Sequence, residues 1–312
     1  MRPMAFEQTA IHSTQPERCD ECPFCPGNEA QTSQERYRIN DPNGQWVTRT
    51  IQNKFPALTE GIIPDSNDDF FQNKTGGFGI HEVIIDTPKH NQTPPNFTGK
   101  ELENLIHTYL HRYRAHEKHP HVRHIVIFKN HGRNAGASII HPHSQLIATP
   151  IISNEINARL TNAQKYYAET KRCLMCDMIE HELQKNQRIV CQNEHFVAFI
   201  PYAASSSFQA WVVPREHQTH FSCLKSNQIP TLAQILKKLL KSQERILHSP
   251  DFNWVIHSAH MKTNKNALHW YMAITPRLTK TAGFELGSQI HINPSLPEND
   301  AAQMRQTLDT TT

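Results

Sequence analysis

The chain has 312 residues, a formal net charge of +3, 37% hydrophobic and 20% charged residues. That length suits two domains or one large one with a real core, and no apolar run approaches the ~20 residues that span a bilayer. The charge is too small and too dispersed for a nucleic-acid surface; the opening MRPMAFEQTAIHSTQ lacks the apolar stretch of a signal peptide, so the expected compartment is the cytoplasm.

Seven cysteines fall unevenly: Cys19, Cys22 and Cys25, then Cys173 and Cys176, then Cys191 and Cys223. An odd count in a cytoplasmic chain disfavours a disulfide framework. The pairs Cys22/Cys25 and Cys173/Cys176 lack the βαβ context of a redox motif. They read better as metal ligands, each pair needing two more.

After the first pair, HEVIIDTPKH is a strand-type run closed by proline, charge and His90. In TGKELENLIHTYLHRYRAHEK, Leu102, Leu105, Ile106, Tyr109, Leu110 and Tyr113 recur at three and four, one face of a helix. The strand HIVIFKN, the loop HGRNAGAS and a strand opened by His141 in HPHSQLIATP follow. The second half repeats this order. FQAWVVPREH ends on His217, and TLAQILKKLLKSQERIL carries Leu232, Ile235, Leu236, Leu239 and Leu240 on one face. FNWVIHS, AHMKTNKNA and HWYMAITPR, opened by His269, complete it. His90 to His141 is 51 residues and His217 to His269 is 52. The spacing predicts an internal duplication with an α+β fold: two similar halves, 1–160 and 161–312, each a mostly antiparallel sheet with packed helices.

A histidine-rich chain produces His-x-His pairs by chance, and a second His-Pro-His does occur at His119–His121. Only His141 has a counterpart in the other half, however, and only that copy carries the glutamine two residues on. The repeat brings Cys22, Cys25, His90 and His141 together, and likewise Cys173, Cys176, His217 and His269. Each set suits tetrahedral zinc with no open position, hence a structural role. The plain alternative is surface histidines making ordinary hydrogen bonds, and Cys19 leaves open which two of the first three cysteines bind.

Alternation along a strand places His141, His143 and Gln145 on one face. A neutral imidazole at His143 is a nucleophile toward phosphorus, oriented if the His141 carbonyl accepts its other N–H. Gln145 is placed to hold a phosphoryl oxygen. The loop NHGRNAGAS supplies Asn130, the Ser138 hydroxyl and, around Gly136 and Ala137, backbone N–H groups that could approach an anion. In the second half Tyr271 stands where His143 does, so that half is expected to be catalytically silent.

CPFCPGNE, HEVIIDTPKH, NHGRNAGASIIHPHSQ, CLMCDMI and AGFELG followed by INP together resemble the galactose-1-phosphate uridylyltransferases of the histidine triad superfamily, over nearly the whole chain. The resemblance implies a ping-pong transfer of a nucleoside monophosphate from a UDP-sugar to a hexose 1-phosphate, with His143 as the uridylylated nucleophile and Gln145 and Ser138 on the phosphates. It implies zinc at Cys22, Cys25, His90 and His141, with Cys19 a bystander. QNKFPAL places Asn53 and Phe55 near the base and ribose. AGFE places Phe284 and Glu285 near the sugar, supplied across a homodimer, and Arg2 matches a phosphate-contacting position. Three departures stand out. His-Trp-Tyr at 269–271 replaces His-Trp-His, Arg2-Pro3 opens the chain where the family carries a preceding GEWV-like strand, and Lys54 sits at a position acidic in some members. The competing functions are an ADP-glucose or diadenosine-polyphosphate phosphorylase with the same covalent histidine, and a zinc-stabilised nucleotide-binding protein without turnover.

Overall fold

The computed structural model describes residues 15–61, 66–67, 71, 74–259 and 266–309. Arg2 lies outside these. The first half contributes strands β1 (Glu35–Asn40), β2 (Trp46–Gln52), a short ribbon of β3 (Ser66–Asn67) and β4 (Lys74–Thr75), then β5 (Ile80–Ile85). Helix α1 (Gly99–His116) and strands β6 (His124–His131) and β7 (His143–Thr149) complete it. Helices α2 (Asn154–Thr170) and α3 (Leu174–Lys185) lead into β8 (Ile189–Gln192), β9 (Phe196–Phe199) and β10 (Ala210–Pro214). Helix α4 (Ile229–Leu247), β11 (Phe252–His257), β12 (Tyr271–Pro276), α5 (Gly283–Ser288) and α6 (Pro297–Asp309) follow.

The two halves do not keep separate sheets. Ten strands form one sheet in the order β1-β2-β5-β7-β6-β11-β12-β10-β9-β8, antiparallel at every step. The order reads the same from either end: β6, β7, β5, β2, β1 run outward from the centre as β11, β12, β10, β9, β8 do. A duplicated half ends at an open strand edge, and β6 pairing with β11 satisfies both edges at once.

The helix faces read from the sequence are the buried ones. Leu102, Leu105, Ile106, Tyr109, Leu110 and Tyr113 on α1 and Leu232, Ile235, Leu236, Leu239 and Leu240 on α4 all lie in one core, against Ile84, Ile125, Leu146, Val212, Trp254 and Met272 from both halves of the sheet. Thr98 and Glu101 start α1 with a reciprocal capping box, a device that contributes about 1 kcal/mol. Between the two halves the polar stretch folds as α2, with Ala163 its one buried residue. Among the described residues no helix is long and apolar enough to cross a membrane.

On the opposite face the sheet is only partly covered. Cys22, Phe24 and Cys25 pack on Trp46, Ile51, Val83 and Ile85. In the second half Ile179 of α3 packs on Ile189, Val197, Phe199, Val213 and Tyr271. Each cysteine segment is thus the lid of a small second core.

Candidate active site

Strand β7 begins at His143, so His141 sits in the bend before it. The one-face expectation therefore holds for His143 and Gln145 only. Between them Ser144 turns to the core, 2.5 Å from the Tyr109 hydroxyl. His141 turns toward the cysteines: its Nδ1 lies 3.7 Å from Cys22 Sγ and 3.5 Å from Cys25 Sγ. His90 Nδ1 is 3.6 Å from Cys25 Sγ. The four ligand atoms lie within 4.8 Å of one another, as do those of Cys173, Cys176, His217 and His269. Cys176 Sγ is 3.3 Å from His217 Nδ1 and 3.6 Å from His269 Nδ1.

These distances fit a metal. Zn–S near 2.3 Å and Zn–N near 2.0 Å at the tetrahedral angle put sulfur and nitrogen about 3.5 Å apart. The His141 Nε2–H donates to the Thr87 carbonyl at 2.8 Å, which leaves Nδ1 as the lone pair facing the thiols. Burial pushes His141 down to about 4 and the Cys22 thiol up to about 11. Cys19 is not in the group; its backbone N–H points at Cys25 Sγ, 3.4 Å away. Between the two cysteines, Phe24 stands edge-on to the His141 ring, with centroids 6.1 Å apart. Phe24 meets the His143 ring edge-on, with centroids 5.5 Å apart.

His143 is buried and lines a pocket of about 130 Å³ with Asn130, Gly132, Ala137, Ser138 and Asp251. That volume admits a phosphoryl group. The His143 Nδ1–H donates to the His141 carbonyl at 2.9 Å, so Nε2 carries the free lone pair. Burial, then the nearby Lys129 cation, pushes the imidazolium form down and keeps the ring neutral.

The loop over this pocket differs from the sequence expectation in one respect. The Gly136 N–H bonds to the Arg133 carbonyl and the Ala137 N–H to the Gly132 carbonyl, both at 3.0 Å. These amides close the loop on itself, and the polar side chains with which it lines the pocket are those of Asn130, His131, Arg133 and Ser138. Gln145 is held by a residue that sequence reasoning missed. The Ala57 N–H donates to His81 Nδ1 at 3.1 Å, so His81 Nε2 carries the proton and donates to Gln145 Oε1 at 2.8 Å. The Gln145 NH2 group remains for a ligand. Asn53 lies against the same ring, its Nδ2 3.0 Å from His81 Nε2, and its Oδ1 accepts the Phe55 N–H at 2.9 Å. Phe55 is 83% exposed. Phe284 is exposed too, and Glu285 caps its own helix by accepting the Ala282 N–H at 3.1 Å. Neither lines the His143 pocket.

In the second half, Arg159 donates to the Tyr271 hydroxyl at 2.6 Å and to His257 Nδ1 at 3.1 Å. The two rings stack at 4.6 Å, and burial pushes the Tyr271 hydroxyl up to about 12. An arginine-pinned aromatic stack fills the place that His143 holds in the first half.

The sequence matches the family models for galactose-1-phosphate uridyl transferase, the N-terminal domain over residues 1–153 and the C-terminal domain over 159–301. ADP-glucose phosphorylase of Arabidopsis thaliana is 32% identical over 98% of this chain and 87% of its own length. Galactose-1-phosphate uridylyltransferase of Thermotoga maritima is 27% identical over 92% of this chain and 89% of its own. A crystal structure of the Arabidopsis ADP-glucose phosphorylase with bound ADP-glucose superposes with a TM-score of 0.83 at 30% identity, covering 96% of this chain and 93% of that one.

Proposed function

This chain belongs to the galactose-1-phosphate uridylyltransferase family, and from that premise we propose that it transfers a nucleoside monophosphate from a nucleotide sugar through a covalent adduct on His143. Nε2 attacks the α-phosphorus, a P–N bond forms, and the bond to the bridging oxygen breaks, so hexose 1-phosphate leaves with the bond's electrons. An acceptor phosphate oxygen then attacks the same phosphorus and breaks the P–N bond. The observation that carries this reading is the His143 ring itself: neutral, pinned through Nδ1 to the His141 carbonyl, and forming a wall of a pocket that admits a phosphoryl group. Asn130, Ser138 and Gln145 supply donors to the equatorial oxygens, the positioning and charge stabilisation that phosphoryl-type transfer needs.

The Arabidopsis relative supports ADP-glucose as donor and inorganic phosphate as acceptor. The Thermotoga relative supports the second reading, UDP-glucose with a hexose 1-phosphate. Both share the adduct and differ in base and acceptor. We assign zinc to the two Cys₂His₂ groups. When bound it is a closed structural ion, holding the Phe24 segment against the His143 ring. Exposed Phe284, Leu286 and Ile290 support a homodimer in which that segment meets the partner's cleft. The test is release of glucose 1-phosphate from ADP-glucose with phosphate, and from UDP-glucose with galactose 1-phosphate. Parallel-line ping-pong kinetics with one pair support the proposal and choose the donor; no turnover with either supports the non-catalytic binding protein.

A further inference from the structure

Two residues of the second half, Asp251 and Asn253, reach across the β6–β11 seam to the loop over the His143 pocket, and a third, Arg277, holds Asn253. Asp251 Oδ2 accepts the Asn134 N–H at 2.7 Å. It packs so closely on Gly132, where φ is +84°, that an added Cβ would stand 1.8 Å from its Oδ1. Asn253 lies opposite Asn130 in the strand register and is 9% exposed. Its Nδ2 donates to Asn130 Oδ1 and to the Ala135 carbonyl, each at 2.8 Å. Its own Oδ1 accepts from Arg277 Nε.

The direction of this chain of bonds is set by the one group with no choice. A guanidinium only donates. Arg277 therefore claims the carbonyl end of Asn253 and leaves its NH2 to face Asn130. Two acceptors, Asn130 Oδ1 and the Ala135 carbonyl, take both protons of that NH2. With Asn130 Oδ1 occupied, the end of Asn130 left for the pocket is Nδ2, and a Cβ on Gly136 would come no closer to it than 3.6 Å. The Ser138 hydroxyl, which also lines the pocket, rotates to suit its ligand. An amide does not: turned over, Asn130 would set a carbonyl oxygen against an anion.

We propose that Asn253, oriented by Arg277, is a positioning residue that holds the Asn130 amide with its N–H donors toward the transferring phosphoryl group. This rests on the reading of the pocket as the phosphoryl site. It assigns the silent half a part in the chemistry, since the sign of the dipole facing the phosphorus is decided by β11 and the residue just past β12.

Asn253→Asp tests it. The substitution keeps shape and the Arg277 bond but offers Asn130 only an acceptor, so Asn130 turns its NH2 inward and its oxygen outward. The readout is the single-turnover rate of His143 nucleotidylation, with ADP-glucose and UDP-glucose as probes, in the wild type, Asn253→Asp, Asn130→Ala and the double variant. Loss of one preorganised donor predicts a fall of about 100-fold or more for each single variant. Because Asn253 acts through Asn130, the double variant should lie within about threefold of Asn130→Ala. Asn253→Ala removes the orientation without reversing it. A roughly tenfold loss is expected there, again absent in the Asn130→Ala background, and this variant decides the matter should Asn253→Asp show no thermal unfolding transition. Wild type that reacts, with Asn253→Asp reacting as fast, overturns the inference alone. So does an Asn253→Asp loss that persists undiminished beside Asn130→Ala, which would mark it as added charge or loop collapse. Wild type that forms no adduct with either sugar overturns the functional reading, and this inference with it.

Discussion

Lys129 lies directly behind His143 and has almost no contact with water, at 1% exposure. Its Nζ donates to Asp86 Oδ2 at 2.5 Å and to the His143 carbonyl at 3.0 Å. Ser144 donates to the same carboxylate oxygen at 3.1 Å. Lys129→Met keeps most of the side-chain volume and removes the cation, stranding the Asp86 carboxylate in the core. Breaking a buried pair in this way costs roughly 3–5 kcal/mol. An unfolding entropy of about 2.1 cal/mol/K per residue amounts to about 0.65 kcal/mol/K over this chain, so the thermal midpoint should fall by about 5–8 °C. The variant Lys129→Met/Asp86→Asn buries no charge and should recover at least half of the loss. Circular-dichroism melts of wild type, Lys129→Met, Asp86→Asn and the double variant in one buffer measure this. A Lys129→Met midpoint within about 1 °C of wild type, or a double variant as low as the two singles added, would refute the reasoning.

Phe24→Ala removes the contact between the cysteine segment and the His143 ring; the adduct rate should fall about tenfold, and because Phe24 is buried the melt should drop about as far as for Lys129→Met. Dialysis against a strong chelator should release two zinc ions per chain by elemental analysis and lower the adduct rate comparably, leaving the far-ultraviolet spectrum of the sheet in place. Glu82 is 1% exposed and bonded to Arg112 at 2.6 and 2.9 Å and to His116 at 3.0 Å. Burial opposes its charge, but the His116 and Arg112 hydrogen bonds outweigh it and hold the carboxyl below its ordinary value. Its folded pKa is the lower one, so the pair's contribution is whole above the unfolded value of about 4.3 and fades as pH falls through the folded value. The midpoint difference between wild type and Glu82→Gln should shrink as pH drops from 6 toward about 3, whereas a constant difference would contradict it. Sedimentation velocity should show a dimer that Leu286→Asp weakens, since the wild-type side chain is 73% exposed in one chain.

What the sequence made legible was local or repeated. The buried stripes of α1 and α4 follow from a period of 3.6. The grouping of Cys22 and Cys25 with His90 and His141 follows from the same order recurring after Cys173. The bond between His143 and the His141 carbonyl follows from a spacing of two. What it hid depends on strand register and on which way a polar group turns. That two half-sheets merge at β6 and β11 is a matter of edge pairing, and neither strand carries a signal for its partner. Asn253 and Asn130 are 123 positions apart, and Asn253 has no residue of its kind at the matching place in the first half to draw the eye. The glycines of the loop suggested free amides, yet a tight turn consumes its own N–H groups first. His81 stands in a plain β-strand run, and its hold on Gln145 emerges only when β5 and β7 are laid side by side.

The most direct test is peptide mapping by mass spectrometry after brief exposure to a nucleotide sugar with no acceptor present. One nucleoside monophosphate per chain is expected, on the peptide containing His143, discharged by adding acceptor and absent in His143→Asn. An adduct on any other residue, or one that persists in that variant, would contradict the account.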